Sequence, residues 1–228
     1  MSTNINKNNI NPIRSGCTTI GRIAPDFTAL SSQGPITLSQ YRGKWVVLFY
    51  EPGDYYPAAT TEIIAFEQLR SEFEKRNVQL LGVTIDSNLA DLDWLYDIYL
   101  KTGIKISYPL ISDRNAEIAR LYDLVNPDNI YETSVRDVFI IGPMQNIRAI
   151  MTYPLTSGLN IYELLRLIDS LQVSDQYKVI TPSNWMLGDP VLTLPPHTLD
   201  ELIARVDNQS EMNINCISWY TCYENLEG

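Results

Sequence analysis

The sequence predicts an α/β domain, a mixed central sheet with helices on both faces, followed by a turn-rich C-terminal arm. Three features carry that expectation. β-rich apolar runs recur at 44–50, 78–85 and 137–141, segments of helical period separate them, and a hairpin signal follows the third run.

Lys44-Trp-Val-Val-Leu-Phe-Tyr50 shows no polar alternation, as expected of a strand buried on both faces. Pro52, Gly53 and Pro57 then break the backbone. Ile63, Ile64, Phe66, Leu69 and Phe73 keep helical spacing in a helix expected from about Thr60 to Arg76. Val78-Gln-Leu-Leu-Gly-Val-Thr-Ile85 reads as a second buried strand, and Ser87 or Asn88 suits the cap of a helix through Trp94 to Leu100. Arg114 to Leu124 reads as helical. Asp137–Ile141 and Ile147–Thr152 read as strands joined by a hairpin at Gly142–Asn146, and Asn160–Leu171 as an amphipathic helix. From Thr181 to Pro196 turns and prolines dominate, with a short helix at Thr198–Val206. Some fifty residues of this kind are too few for a core of their own, so Trp185, Met186, Leu187 and Val191 are expected to anchor the arm on the main domain or on a partner chain. The expected organisation is a flexible, Asn-rich arm over 1–20, the main domain over 21–172 and the C-terminal arm and tail over 173–228.

Composition narrows the chemistry. The 228 residues carry 17 basic and 27 acidic side chains, a formal net charge of −10, so nucleic-acid binding, which needs a basic face, is not expected. No apolar run approaches the ~20 residues of a membrane-spanning helix. The N-terminus also lacks the apolar segment of a secretory signal, and a soluble, cytoplasmic protein is expected. Three cysteines, Cys17, Cys216 and Cys222, do not make a disulfide framework. With one histidine, His197, in a Pro-Pro-His-Thr context that reads as a loop or helix start, neither a metal site nor a Ser/His/Asp triad is expected. No cofactor is expected.

At Ala24-Pro-Asp-Phe-Thr28, Leu38-Ser-Gln-Tyr-Arg-Gly-Lys44, Pro52-Gly-Asp-Tyr-Tyr-Pro-Ala-Ala-Thr-Thr-Glu62 and Ser134-Val-Arg-Asp-Val-Phe-Ile-Ile141 the chain closely resembles a peroxiredoxin of the AhpC/TSA type. Ser170-Leu-Gln172, Thr181-Pro-Ser-Asn-Trp185 and Leu187-Gly-Asp-Pro190 extend the resemblance, the Thr-Pro-x-Asn-Trp stretch being similar to the long-armed, 1-Cys-like branch. The resemblance implies a thioredoxin-like fold, homodimers that close into decameric rings, and reduction of hydroperoxides by a cysteine thiolate. That thiolate would sit at a helix N-terminus opposite an arginine, where both positive fields lower its pKa. Carried over by position, Pro52 matches the proline that shields the thiolate and Arg136 the arginine. The threonine that orients the peroxide falls on Tyr56, and the cysteine on Ala59.

A methyl group cannot attack an O–O bond, and Thr60 and Thr61 have no base nearby in sequence to activate them. Ala59 is read either as a natural replacement or as an experimental Cys→Ala change, and Tyr56 favours the first, because inactivating a nucleophile gives no reason to alter a second position. Arg136, without a thiolate beside it, needs another anion. Glu62 is the foremost candidate, with Glu51 and Asp54 on the same loop. Cys216 and Cys222 resemble the C-terminal cysteine pair of archaeal-type members, where a tail thiol resolves the oxidised nucleophile. Here they are either redox-active, with a local disulfide within reach, or incidental, while Cys17 has no family role. Three functions follow. The first is a member without peroxidase activity in a structural, regulatory or binding role. The second is a peroxidase served by a thioredoxin-type reductant and captured as a Cys→Ala variant. The third is a repurposed, metal-free enzyme that uses Tyr56 as acid or base and Arg136 as the clamp for a small anion.

Overall fold

The computed structural model describes residues 18–125, 136–208 and 212–226. The N-terminal arm expected over 1–20, with Cys17, and the Ser134-Val135 part of the resemblance lie outside them, apart from residues 18–20. The chain divides into two compact units between Leu159 and Asn160.

The first unit is a seven-stranded mixed sheet in the order β2-β1-β5-β4-β3-β6-β7. It consists of β1 (Thr28–Ser31), β2 (Gly34–Thr37), β3 (Trp45–Tyr50), β4 (Val78–Thr84), β5 (Leu110–Ser112), β6 (Arg136–Ile141) and β7 (Ile147–Tyr153). β3 runs parallel to β4 and β4 to β5, whereas β6 returns antiparallel beside β3 and β7 beside β6. Every residue of β3 and of β6 is buried, which is why neither run alternates in the sequence.

Helices cover both faces, as expected. On one face Val46, Leu48 and Tyr50 pack in a common cluster with Ile118 and Ala119 of α4 (Glu117–Leu121) and with Tyr122. The alternate residue Phe49 points to the other face. There it stacks on Phe66 of α1 (Pro57–Gln68), with 4.2 Å between ring centroids, and Phe66 in turn meets Phe73 of α2 (Arg70–Lys75).

The single helix expected over 60–76 is thus two. It starts earlier, because Pro57 sits at the first helical position, where its missing N–H and fixed φ are an advantage. It breaks at Leu69 (φ −99, ψ 7). α3 (Asn88–Thr102) is capped by the Ser87 hydroxyl, which accepts Ala90 N–H, and ends on Gly103 in the left-handed region. The helix expected over 114–124 shrinks to the five residues of α4, bounded by Ala116 (φ 54) and Asp123 (φ 57).

The second unit holds α5 (Ile161–Tyr177), whose N-cap Asn160 accepts two backbone N–H groups, and α6 (Leu199–Asp207), closed by a Thr198/Glu201 capping box. A small sheet of order β8-β10-β9 joins β8 (Val191–Leu192) to the hairpin β9 (Asn215–Ser218) and β10 (Thr221–Glu224). Of the four expected anchors, Trp185 and Val191 are buried together with Val173 and Val179. Met186 and Leu187 are exposed, so they do not anchor the arm within this chain.

Gly82 in β4 is closely packed by its neighbours in the sheet, Phe49 among them. A β-carbon there would lie 2.9 Å from Leu110 Cδ1 and 2.9 Å from Phe49 Cζ. Gly82→Ala is expected to cost about 1–3 kcal/mol through overpacking, read as a lower urea midpoint with an unchanged m-value.

Candidate functional site

The site loop leaves β3 at Glu51, whose N–H donates to Val83 O at 2.8 Å, and enters α1 at Pro57. Along α1, Ala59, Glu62, Ile63 and Phe66 are buried, the one-sided stripe of a helix lying on a sheet. That stripe places one carboxylate, Glu62, among core residues. Ala59 is 0% exposed.

Arg136 opens β6 and is 1% exposed. Its Nη1 donates to Glu62 Oε1 at 3.1 Å and to Ser157 O at 2.8 Å. Glu62 Oε1 also accepts Leu159 N–H at 2.7 Å. The guanidinium carbon lies 5.4 Å from the centroid of the Tyr56 ring, a cation–π contact, and the Tyr56 hydroxyl donates to Leu155 O at 3.2 Å. Tyr56 is therefore built into the packing around Arg136.

Glu51 completes the cluster, its Oε2 3.8 Å from Arg136 Nε. Burial raises the Glu51 carboxyl well above its usual range, and the charge of Glu62 and a hydrogen bond to Glu62 raise it further against the pull of Arg136. Neither Glu51 oxygen meets an N–H or O–H donor. A hydrogen bond between two carboxyl groups requires one proton between them, and the upward push on Glu51 favours its neutral form.

The expected partners of Arg136 thus divide: Glu51 and Glu62 meet it, whereas Asp54 donates its backbone N–H to Asp86 Oδ2 at 2.7 Å and pairs its side chain with Asp91. Pro52 lies half-buried in the same loop. Cys216 and Cys222 face each other across the β9–β10 hairpin and are joined by a disulfide. Among the described residues, no group of three or more His, Cys, Asp or Glu side chains is arranged to hold a metal. No helix of those residues is long and apolar enough to cross a membrane.

Sequence reasoning missed the backbone groups of Leu155, Ser157 and Leu159, which leave no mark in residue type. It also missed Asp91, for which a signal existed: Asp91, Trp94 and Ile98 form the buried stripe of α3, an acid in line with two core residues.

A carboxyl with a raised pKa stabilises the fold fully below its unfolded value, about 4.5 for Glu51, and loses that contribution as pH rises through the native value. Glu51→Gln supplies an N–H donor to Glu62 without a proton. Urea unfolding across pH is expected to show a shallower alkaline decline for the variant than for the parent chain.

Two family models match the chain, the AhpC/TSA family over residues 20–150 and the C-terminal domain of 1-Cys peroxiredoxin over 170–209. A peroxiredoxin 2 of Caldanaerobacter subterraneus subsp. tengcongensis is 49% identical over 207 residues, 91% of this chain and 93% of that protein. One of Picrophilus torridus is 44% identical over 187 residues, 82% of this chain and 92% of its own length. Among solved structures, a yeast mitochondrial 1-Cys peroxiredoxin shares 35% identity at a TM-score of 0.81, with 91% of this chain and 99% of that one covered. A mutant of peroxiredoxin 6 from Arenicola marina shares 32% at 0.79, with 92% and 98% covered. The thioredoxin-like fold expected from the sequence is the fold of these structures. Matches that run in order through both units, with close to half the residues identical to a relative of nearly the same length, mean that the chain belongs to the peroxiredoxin family.

Proposed function

We propose that this protein is a peroxiredoxin-family member without peroxidatic activity, retained for a structural, regulatory or binding role in a homo-oligomer. The observation that carries the reading is the full burial of Ala59 at the family's nucleophile position, together with an Arg136 whose Nη1 already donates to the chain's own groups and whose face carries the Tyr56 ring. No sulfur at that position can form a sulfenic acid. A peroxide would need the space beside Arg136 that the Tyr56 ring takes, and Arg136 Nη1 already donates to Glu62 and Ser157. The same contacts count against a new enzyme using Tyr56 as acid or base, because the phenol is already bonded to Leu155 O.

The C-terminal unit supports the oligomeric part. α6 is strongly amphipathic, yet none of its residues is buried, and Leu199, Ile203 and Val206 line one exposed face at helical spacing. The hairpin adds exposed Ile217, Trp219 and Tyr220. Apolar surface on this scale marks an interaction site, and a second copy of the chain is the occupant we assign, in a dimer that can close further into a ring. The Cys216–Cys222 disulfide has no peroxidatic partner to resolve in this reading, and a thioredoxin-type reductant is not needed for turnover.

Peroxide consumption in the presence of a dithiol reductant tests the first part. The parent chain is expected to show none above buffer. Ala59→Cys alone is expected to stay inactive because Tyr56 occupies the substrate position, and Ala59→Cys with Tyr56→Thr to gain measurable turnover. Turnover by the parent chain at a rate typical of its relatives overturns the reading. For the assembly, light scattering after gel filtration is expected to give a dimer or larger for the parent chain and a smaller species for Ile203→Glu.

A further inference from the structure

Three carboxyl groups where the site loop meets α3 play no part in the reading above. Asp91, on the buried stripe of α3, is 0% exposed. Its Oδ1 accepts the Thr84 hydroxyl at 2.6 Å, while Oδ2 meets no N–H or O–H donor. Asp54, on the loop, has two carboxyl oxygens that likewise meet no such donor. These unpartnered oxygens belong to two carboxyl groups close enough for each to act on the other's protonation. Asp86, in the turn before α3, accepts the Asp54 N–H and crowds Gly53, where a β-carbon would come within 3.1 Å of its Oδ2. Among the described residues, the groups acting on this pair are Thr84, Asp86, Tyr55 and the pair's own members, and no cation is among them. Tyr55 and Asp93 flank it, with the Tyr55 hydroxyl donating to Asp93.

Two carboxyl groups bond to each other only while one proton lies between them. Once both are ionised, the contact becomes repulsive, and Asp86 adds a third like charge. The loop is the element that yields. α3 is fixed by its buried Trp94 and Ile98, whereas Tyr55 holds a left-handed backbone (φ 58), which a tyrosine keeps only under restraint from its surroundings.

We propose that the Asp54–Asp91 pair is a proton-operated latch that docks the Pro52–Tyr56 loop on α3 and releases it when the shared proton is lost. Burial and the neighbouring aspartates push Asp54 up to about 8, and burial pushes Asp91 up to about 6, so the latch opens across and above neutrality. Both groups are raised above their unfolded values. The docking contribution is therefore complete in acid and is lost as pH rises through those values. Because the loop ends in Tyr56, whose ring lies against Arg136, release uncovers the buried ion cluster. The proposal concerns loop docking and stands whether or not the site reduces peroxide.

Solvent exchange of the Asp54 N–H, followed by NMR and corrected for base catalysis, reads the latch directly. From about pH 6 to about pH 9 its protection in the parent chain is expected to fall roughly tenfold or more, while amides of β3 stay protected. Asp91→Asn replaces the shared proton with an amide donor and still accepts from Thr84. Asp54→Asn does the same from the loop side. In either variant, if its β3 amides remain protected, protection of the backbone N–H at position 54 is expected to stay flat within about threefold over the same range. Protection that is independent of pH in the parent chain overturns the proposal. So does an equal fall, with the same midpoint, in a folded amide variant.

Discussion

A guanidinium sealed at the start of β6 is the constraint on which the site depends. Removing an ion from water costs several kcal/mol, and a buried cation must find its counter-charge in place. Arg136 finds it in Glu62, and the requirement propagates outward. α1 must turn Glu62 inward among its core residues, and the 155–159 segment must bring Ser157 O and Leu159 N–H to the same few ångströms. Glu51, just after β3, joins them with its carboxyl pushed toward the neutral form by burial and by Glu62. None of these contacts uses the atom at position 59. The ion cluster therefore does not depend on which small side chain stands at position 59.

How much of this was legible follows from what each feature needs. β3, β4, β6 and β7 could be read because strands buried on both faces, or paired through a tight hairpin, dictate residue type at almost every position. β1, β2 and β5 are three or four residues long and carry polar side chains, so composition did not separate them from loops. The break at Leu69 has no glycine or proline to announce it. The left-handed residues that shorten α4 are an alanine and an aspartate rather than glycines. The C-terminal tail looked merely polar, yet Cys216 and Cys222 pair in register on adjacent strands, and β8 holds β10 from its other side. At the site, Pro52, Tyr56, Ala59, Glu62 and Arg136 were named from a resemblance that the fold and the relatives bear out at family level. The partners of Arg136 on the 155–159 segment are peptide groups, which any sequence supplies.

Asp54 shows a different kind of error. Sequence proximity put it with Glu51 as a partner for Arg136, but three residues along an irregular loop carry a side chain to another neighbourhood. Its actual partners, Asp86 and Asp91, lie more than thirty residues away and were brought there by the β4–α3 connection. The clue was on α3, where an aspartate occupies a position that the helical stripe assigns to the core.

The loop from 51 to 54 is therefore held by two carboxyl pairs of unlike character. Glu51–Glu62 lies beside a buried arginine, whose charge offsets a carboxylate of the pair. Asp54–Asp91, among the described residues, has hydroxyls and further carboxylates around it and no cation, so its contact depends on the proton. One end of the loop is tied by charge and the other by protonation. Between them Gly53 lets the backbone pass close to Asp86, at a spacing that a side chain would fill. A segment whose two ends rest on ties of such different character is hinged by construction. The hinge carries Tyr56, the residue that covers Arg136, so the conditional tie sets how closed the site is.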